Sequence, residues 1–374
     1  MTYKAIGRTA AVLAGAMALS LMTGCAEQKH PGAKTVGIAM PAKSLERWNR
    51  DGQYLKQQFE ASGYNVELRY SDNDINQQNN DLEVLIADDV DLLIVSAIDG
   101  AAIFRTLEDA EYSGIPVIAY DRLIMNTDAV KCYISFDNFS VGEMQAQFVV
   151  DQLGLDSASE PKNLEFVSGD TADNNALYFF NGAWSVISQY IDSGRLKVPS
   201  GKVSFEQTAT PSWSTDVAME NLQNTLASYY TGSTKLDAVI ASSDVLSLGV
   251  SQAIRSDYTG DFPVITGQDG DIAALRNIVD GYQTMTIFKN VNDEANVTLE
   301  VSKALLEGKE IDESLVDVFE AETTYDTESY NNGVKNVPSY LLTPTVITAD
   351  NLDDLVATGS YKWDSSHKYL EAAN

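Results

Sequence analysis

Residues 92–121 read LLIVSAIDGAAIFRTLEDAEYSGIPVIAYD, and this stretch decides the fold class. Two short apolar runs, Leu92–Ala97 and Pro116–Tyr120, have the length and branched side chains typical of buried strands. Between them, Ala101–Tyr112 alternates polar and apolar residues with the period of a surface helix. A strand–helix–strand unit with almost entirely apolar strands indicates an α/β fold, in which helices cover both faces of a parallel sheet.

The same alternation continues along the chain from Lys34. Further strands are expected at Thr35–Met40, Asn65–Tyr70, Cys132–Phe136, Asn163–Ser168, Lys202–Phe205, Asp237–Ser242, Pro263–Thr266 and Thr284–Phe288. Further helices are expected at Glu46–Ser62, Ile75–Asp88, Val141–Leu153, Ala176–Ile191, Thr215–Tyr230 and Asn292–Leu306. Because these strands are too many for one ordinary open sheet, we expect two βα domains, the first ending near Asn138.

The N-terminus has the pattern of a secretory signal. Lys4 and Arg8 precede an apolar run, Thr9–Met22, which is too short for an ordinary membrane span. Small residues and then Cys25 follow this run, so we expect a lipoprotein signal peptide over residues 1–24 with Cys25 acylated. The usual lipoprotein motif has Leu where this chain has Met22. Residues 25–33 would then form a polar tether on the outer face of the membrane.

Charge and composition exclude several classes of function. The chain has 25 Lys and Arg residues against 54 Asp and Glu residues, which argues against a basic patch for nucleic acid or anionic lipid. Two cysteines provide no disulfide framework, and Cys132 is expected to be a buried small hydrophobe. Only two histidines occur, and no phosphate-binding loop or nucleophile motif is present, so neither an enzyme nor a metal or other cofactor is expected.

Charged and aromatic residues follow the predicted strands. In open parallel sheets, ligands bind beyond the carboxyl ends of the strands. Carboxylate and amide oxygens accept hydrogen bonds from sugar hydroxyls, Arg and Lys donate to them, and indole faces cover the C–H patches of a sugar ring. The candidates are Arg47, Trp48, Asp121, Arg122, Asp173, Asn175, Trp213, Asp244, Asp269 and Lys289.

Each of these residues also has a structural interpretation. A tryptophan is usually part of the core, Arg122 could pair with Asp121, and Lys289 could be a solvated strand end. The carboxylates of Asp173 and Asp269 could alternatively serve as the acid and base of a glycosidase. Flanking arginines would instead keep both carboxylates ionised, which favours binding over catalysis. It is the number of such residues at one predicted sheet edge that favours a ligand site.

Several motifs resemble the periplasmic-type sugar-binding proteins of ABC transporters, in the branch of xylose-binding and multiple-sugar receptors. They are Ser44–Trp48 (SLERW), Ala119–Ile124 (AYDRLI), Ser135–Asn138 (SFDN), Asp173–Ala176 (DNNA), Thr266–Asp269 (TGQD) and Val337–Pro344 (VPSYLLTP). The resemblance covers nearly the whole mature chain. It implies two Rossmann-like lobes joined by a three-crossing hinge, with residues 34–138 plus 290–330 in the N-terminal lobe and 139–289 plus 331–374 in the C-terminal lobe.

The resemblance also implies that the lobes close on one aldopyranose and dock on a transporter permease. The chain would act as a monomer, and the candidate residues would hold the sugar between the lobes. Ser243 is a departure, because xylose- and ribose-type relatives have Asn there. A shorter side chain leaves room and favours a hexose or mixed specificity. A sensor that presents the bound sugar to a chemoreceptor or histidine kinase is the alternative function.

Overall fold

The computed structural model describes residues 30–373. The strands are β1 (Thr35–Met40), β2 (Asn65–Tyr70), β3 (Leu92–Val95), β4 (Val117–Tyr120), β5 (Val130–Phe136), β6 (Lys162–Val167), β7 (Leu196–Lys197), β8 (Ala238–Ala241), β9 (Val264–Ile265), β10 (Thr286–Phe288), β11 (Thr323–Asp326), β12 (Ser339–Leu342), β13 (Thr345–Ile347), β14 (Tyr361–Trp363) and β15 (Leu370–Ala372). The helices are α1 (Glu46–Ala61), α2 (Ile75–Ala87), α3 (Phe104–Tyr112), α4 (Asn138–Leu153), α5 (Asn174–Asp192), α6 (Phe205–Thr208), α7 (Thr215–Tyr229), α8 (Asp244–Asp257), α9 (Ile272–Asp280), α10 (Val291–Leu306) and α11 (Leu352–Ala357). Two 3₁₀ helices, Pro211–Trp213 and Glu313–Val318, complete the elements of residues 30–373.

The N-terminal lobe is built on a seven-stranded sheet in the order β11-β12-β5-β4-β3-β1-β2. Its strands are parallel except for β11, which pairs antiparallel with β12 at one edge. One face packs on α2 and α3 through Leu85 and Leu107, and the other packs on α1 and α10 through Phe59 and Val301. The central strands β3 and β4 are apolar and buried throughout because both faces are covered, which confirms the fold class predicted from residues 92–121.

The C-terminal lobe has a smaller parallel sheet in the order β7-β6-β8-β9. The antiparallel pair β10-β13 lies next to it, and a bridge from Gln268 to Ile287 joins the two. Helices α4, α5, α7 and α8 pack around this lobe. After β13, α11 and the hairpin β14-β15 pack on α9 through an apolar cluster that includes Leu275, Leu355 and Tyr361.

The described chain crosses between the lobes three times, from β5 to α4, from β10 to α10 and from β12 to β13. Asp137 and Asn290, the N-cap residues of α4 and α10, accept backbone N–H bonds where the first two crossings end. The third crossing is later than expected, since residues 331–374 were all assigned to the C-terminal lobe. Strand β12 instead pairs with β5 in the N-terminal lobe, because its four buried residues fill the edge that β5 would otherwise expose.

One predicted strand is wrong. Lys202–Phe205 forms no strand, and the chain turns instead into the short helix α6. The Gln207 side chain accepts the Ser204 N–H at 3.1 Å, so a local capping contact outweighs the apolar pattern of the segment. The strand that pairs with the edge of β6 is β7, a few residues earlier.

Membrane attachment was predicted at a residue that lies outside the described part of the chain. Cys25 and the signal peptide over residues 1–24 both precede residue 30. Within residues 30–373, no helix combines the length and the hydropathy needed to cross a membrane.

Candidate ligand-binding cleft

A polar cleft lies between the lobes, at the carboxyl ends of β1, β4, β6, β8 and β10. It encloses about 630 Å³, including its solvent-open mouth. The structure brings ten of the predicted site residues together here: Arg47, Trp48, Asp121, Arg122, Asp173, Asn175, Trp213, Ser243, Asp269 and Lys289. They are contributed by both lobes, as expected for a ligand that is gripped from two sides.

Arg47, in the first turn of α1, is the hub of the charged network. Its guanidinium donates to Asp51 at 2.8 Å and, across the cleft, to Asp269 at 3.0 Å. It also donates to Asp121 at 2.8 Å and to Glu294 at 2.9 Å. These four bonds use four of its five N–H groups, and one N–H on Nη1 has no partner among the described residues.

Lys289, which follows β10, links the same carboxylates. Its Nζ lies 3.4 Å from Asp121 Oδ2 and 3.1 Å from Asp269 Oδ1. Burial acts to raise the pKa of Asp121, but Lys289, Arg47 and Arg122 together outweigh it and hold that pKa below its usual value. Asp121 is therefore an ionised acceptor at neutral pH.

Arg122 pairs across the cleft with Asp173. It does not pair with its neighbour Asp121, which was the structural role considered for Arg122 from the sequence. Arg122 Nε lies 3.0 Å from Asp173 Oδ2, and Nη1 donates to the carbonyl oxygens of Ala97 and Ile98 at 3.0 and 3.3 Å. Its Nη2 has no hydrogen-bond partner among the described residues and is available to a ligand. Burial raises the pKa of Asp173, and Arg122 opposes that rise.

Two indoles line the cleft, one from each lobe. The Trp48 ring lies under Arg122, whose guanidinium carbon is 4.9 Å from the ring centroid. Trp213 lies in a 3₁₀ turn with φ +52° and packs edge-on against Phe179, with ring centroids 6.5 Å apart. Gly169 makes room for Trp213, because a Cβ at that position would lie 2.1 Å from the indole. Trp213 Nε1 is buried without a partner among residues 30–373, so an indole N–H remains available.

Asn175 joins the lobes as well as lining the cleft. Its Nδ2 donates to the Asp121 carbonyl at 2.6 Å, and its Oδ1 accepts the Tyr133 hydroxyl at 3.0 Å. Asp173, the N-cap residue of α5, accepts the Asn175 backbone N–H. The N-terminus of α5 therefore positions both Asp173 and Asn175, which were predicted to contact the ligand.

Ser243 and Asp244 differ in position. The Ser243 hydroxyl caps α8 and lines the cleft, whereas Asp244 lies behind it. The Asp244 carboxylate accepts from Gln283 Nε2 at 2.8 Å, from the Asp271 N–H at 2.9 Å and from Thr286 Oγ1 at 3.0 Å. Asp244 is not among the lining residues found in the described chain. The donors found for it there all belong to its own lobe, and it supports the loop that carries Asp269.

Sequence reasoning missed several lining residues: Leu45, Glu46, Asn73, Phe179, Ser212, Val245, Gln268 and Asp271. Gln268 lies within the TGQD motif that had been singled out, and its buried Oε1 has no partner among the described residues. Sequence reasoning also gave no prediction for Asp51 and Glu294, two carboxylates that bond Arg47 within its own lobe. Asp51 is four residues further along α1, a spacing that could have revealed it, but no local signal marks Glu294 on α10.

Two α/β lobes, three crossings and one polar cleft between them define a two-lobed ligand-binding protein. The chain matches the family model described as periplasmic binding protein domain over residues 36–310 and belongs to that family. It is 41% identical over 331 residues to the multiple sugar-binding periplasmic receptor ChvE of Rhizobium radiobacter, covering 87% of this chain and 90% of that one. It is 32% identical over 336 residues to the D-xylose-binding periplasmic protein of Escherichia coli, covering 90% and 93%.

A solved structure has the same fold. It is an ABC transporter solute-binding protein from Clostridium phytofermentans with bound β-D-glucose, 42% identical, with a TM-score of 0.83. The match covers 89% of this chain and 99% of that chain. These comparisons confirm the predicted resemblance and fold, and they identify the chain as a binding protein and not an enzyme.

Proposed function

We propose that this protein is the substrate-binding protein of an ABC-type sugar transporter and binds one aldopyranose of the glucose, galactose, arabinose or xylose type between its lobes. The observation that carries this proposal is a cleft whose charges are already paired with one another and whose free donors lie beside two indoles. Such a site offers many hydrogen bonds to a neutral ligand and apolar surface to a ring.

The pairing of charges argues for a neutral ligand. Arg47, Arg122 and Lys289 each have a carboxylate within 3.4 Å or less, so none of them needs an anionic ligand. The lining residues Glu46, Asp121, Asp173 and Asp269 outnumber these cations, which disfavours an anion further. The N–H groups that remain on Arg47, Arg122 and Lys289 suit sugar hydroxyl oxygens.

The relatives support the same ligand class. The receptor from Rhizobium radiobacter is named for binding multiple sugars, and the solute-binding protein from Clostridium phytofermentans holds β-D-glucose. Ser243, with its short side chain at the cleft, supports a hexose or a mixed specificity over strict pentose specificity.

We further propose that the protein is a monomer held at the outer face of the membrane by an acylated Cys25, from which the sugar-loaded lobes dock on a permease. Replacing Cys25 with Ser should release the protein from the membrane fraction. If the Cys25→Ser protein sediments with membranes as the wild type does, this anchor is refuted.

A thermal-shift screen tests the ligand class. D-Glucose, D-galactose, L-arabinose and D-xylose should raise the melting temperature, because a ligand at a hundred times its Kd stabilises the folded state by about 2.7 kcal/mol. Glucuronate, an anion on a similar ring, should raise it less than glucose does. Stabilisation by none of the aldoses, or sugar turnover by the purified protein, would refute the proposal.

A further inference from the structure

A second set of contacts joins the lobes at the rim of the cleft, and Arg50 on α1 is at its centre. Arg50 Nη1 donates to the Tyr361 hydroxyl at 3.0 Å, and Nη2 donates to the Asp269 carbonyl at 3.1 Å. Both partners belong to the C-terminal lobe, whereas Arg50 belongs to the N-terminal lobe. Neither Arg50 nor Tyr361 is among the lining residues of the cleft found in the described chain.

Tyr361 is the first residue of β14 in the C-terminal hairpin. The hairpin lies outside the match to the family model, which ends at residue 310. Its ring is buried edge-on against Phe288, and its hydroxyl donates to the Gly270 carbonyl at 2.8 Å. Gly270 has φ +72°, and a Cβ there would lie 3.0 Å from the Tyr361 hydroxyl oxygen. A glycine therefore allows this tyrosine to reach the loop that carries Asp269.

Glu46 adds a contact to the same loop. Its Oε1 accepts the N–H of Ile272, the first residue of α9, at 3.4 Å. Asp271, the N-cap residue of α9, makes no side-chain capping bond of its own. The start of this helix is thus capped from the opposite lobe.

We propose that Arg50, Tyr361 and Glu46 form an interlobe latch that positions Asp269 and slows release of the ligand. The latch rests on the proposed sugar-binding function. Asp269 has φ +101°, a conformation that aspartate adopts only when its surroundings hold it there. Arg47 and Lys289 hold its carboxylate, and Arg50 holds its carbonyl. Because the latch bonds span the two lobes, they exist only when the lobes meet, and Arg50 and Tyr361 act on the lifetime of the complex from outside the lining of the cleft.

Stopped-flow tryptophan fluorescence with D-glucose as the probe tests this directly, since Trp48 and Trp213 lie in the cleft. Arg50→Ala should raise the dissociation rate roughly tenfold while the association rate stays within about twofold of wild type. Arg50→Lys keeps the charge but loses the guanidinium geometry that bonds two acceptors at once. Its dissociation rate should therefore lie between those of the wild type and of Arg50→Ala. Arg105→Ala is the matched control, because Arg105 is exposed and stacks on Phe104 of its own helix.

Tyr361→Phe tests the other half of the latch and should raise the dissociation rate about threefold. Its control is Tyr369→Phe, which removes a hydroxyl from the same C-terminal segment that bonds Asp280 within one lobe. In the double variant Arg50→Ala/Tyr361→Phe, the dissociation rate should rise by less than the product of the two single increases. Both substitutions break the same bond between Arg50 and Tyr361.

The outcomes separate the latch from the function on which it rests. Absence of binding by the wild-type protein would refute the proposed function, and the latch with it. Normal wild-type binding together with unchanged dissociation in Arg50→Ala and Tyr361→Phe would overturn the latch alone. A lower melting temperature of the ligand-free variants, with unchanged dissociation, would also overturn it, since the contacts would then serve folding only.

Discussion

Replacing Arg122 with Ala tests the central ion pair of the cleft. The Arg122 and Asp173 side chains are 10% and 4% exposed, and their charged atoms lie 3.0 Å apart across the cleft. The substitution leaves Asp173 as a buried carboxylate without its cation and removes a free N–H from the ligand site. Truncating one partner of a buried, hydrogen-bonded charge pair typically costs 2–5 kcal/mol of binding, of which much is the cost of the unpaired charge.

The structure favours the lower part of that range. Burial already raises the pKa of Asp173 in the wild type, so without Arg122 this carboxyl can take up a proton and avoid the full cost of a buried charge. We therefore expect a loss of about 3 kcal/mol, or roughly a hundredfold in Kd, at neutral pH. The loss should shrink as the pH falls, because protonation of Asp173 removes the uncompensated charge.

Isothermal titration with D-glucose at pH 8 and pH 5.5 measures both effects. Arg122→Lys, which retains a charge, should bind more tightly than Arg122→Ala, and Arg105→Ala should bind as the wild type does. The melting temperature of the ligand-free variant should fall modestly, because the carbonyls of Ala97 and Ile98 lose a donor. A Kd for Arg122→Ala within threefold of wild type, or a loss that grows at low pH, would show that the ion pair does not work in this way.

Three further outcomes follow from the same geometry. Trp213→Ala should weaken D-glucose binding by about ten- to a hundredfold, since a stacking surface and its exclusion of water are lost; a titration showing an unchanged Kd would place the indole outside the site. Gly169→Ala should weaken binding without unfolding the lobe, because the new Cβ displaces the Trp213 ring, and circular dichroism separates the two effects. Burial first, and Asp269 second, raise the pKa of Asp271 to about 7, so the folded state binds the extra proton. The free energy of unfolding should therefore fall as the pH rises from about 4 to about 7, and Asp271→Asn should flatten this slope; an identical slope in denaturant titrations of both proteins would contradict it.

Local sequence patterns predicted both the fold and most of the cleft. The fold follows from the apolar strands and the helices between them, and the cleft residues follow directly after the strands. Residues 92–121 had the apolar strands and the intervening helix that the structure contains, and Asp121 and Arg122 follow β4 at the ligand-facing edge. Asp244 satisfied the same rule but lies behind the cleft, because its donors Gln283 and Thr286 come from distant positions that no local pattern reveals.

Long-range pairing also explains the other errors. Strand β12 belongs to the N-terminal lobe because β5 offers it an edge, which is a property of the assembled sheet. Glu294 pairs with Arg47 across 247 residues of sequence, so its role depends on the packing of α10 against α1. What a residue does within one strand–helix unit could be predicted, and what it does between units could not.

Asp121 and Asp269, the two carboxylates at the centre of the cleft, both have a strained backbone and a carbonyl that bonds to the opposite lobe. Asp121 has φ +58° and Asp269 has φ +101°, conformations that cost of order 1–3 kcal/mol each and persist only where the surroundings over-determine them. The carbonyl of Asp121, in the N-terminal lobe, accepts from Asn175 of the C-terminal lobe. The carbonyl of Asp269, in the C-terminal lobe, accepts from Arg50 of the N-terminal lobe. Each lobe thus contributes a donor to the strained residue of the other, and for Asp121 this donor adds to Tyr133 and Ser135, which bond the same carbonyl from its own lobe.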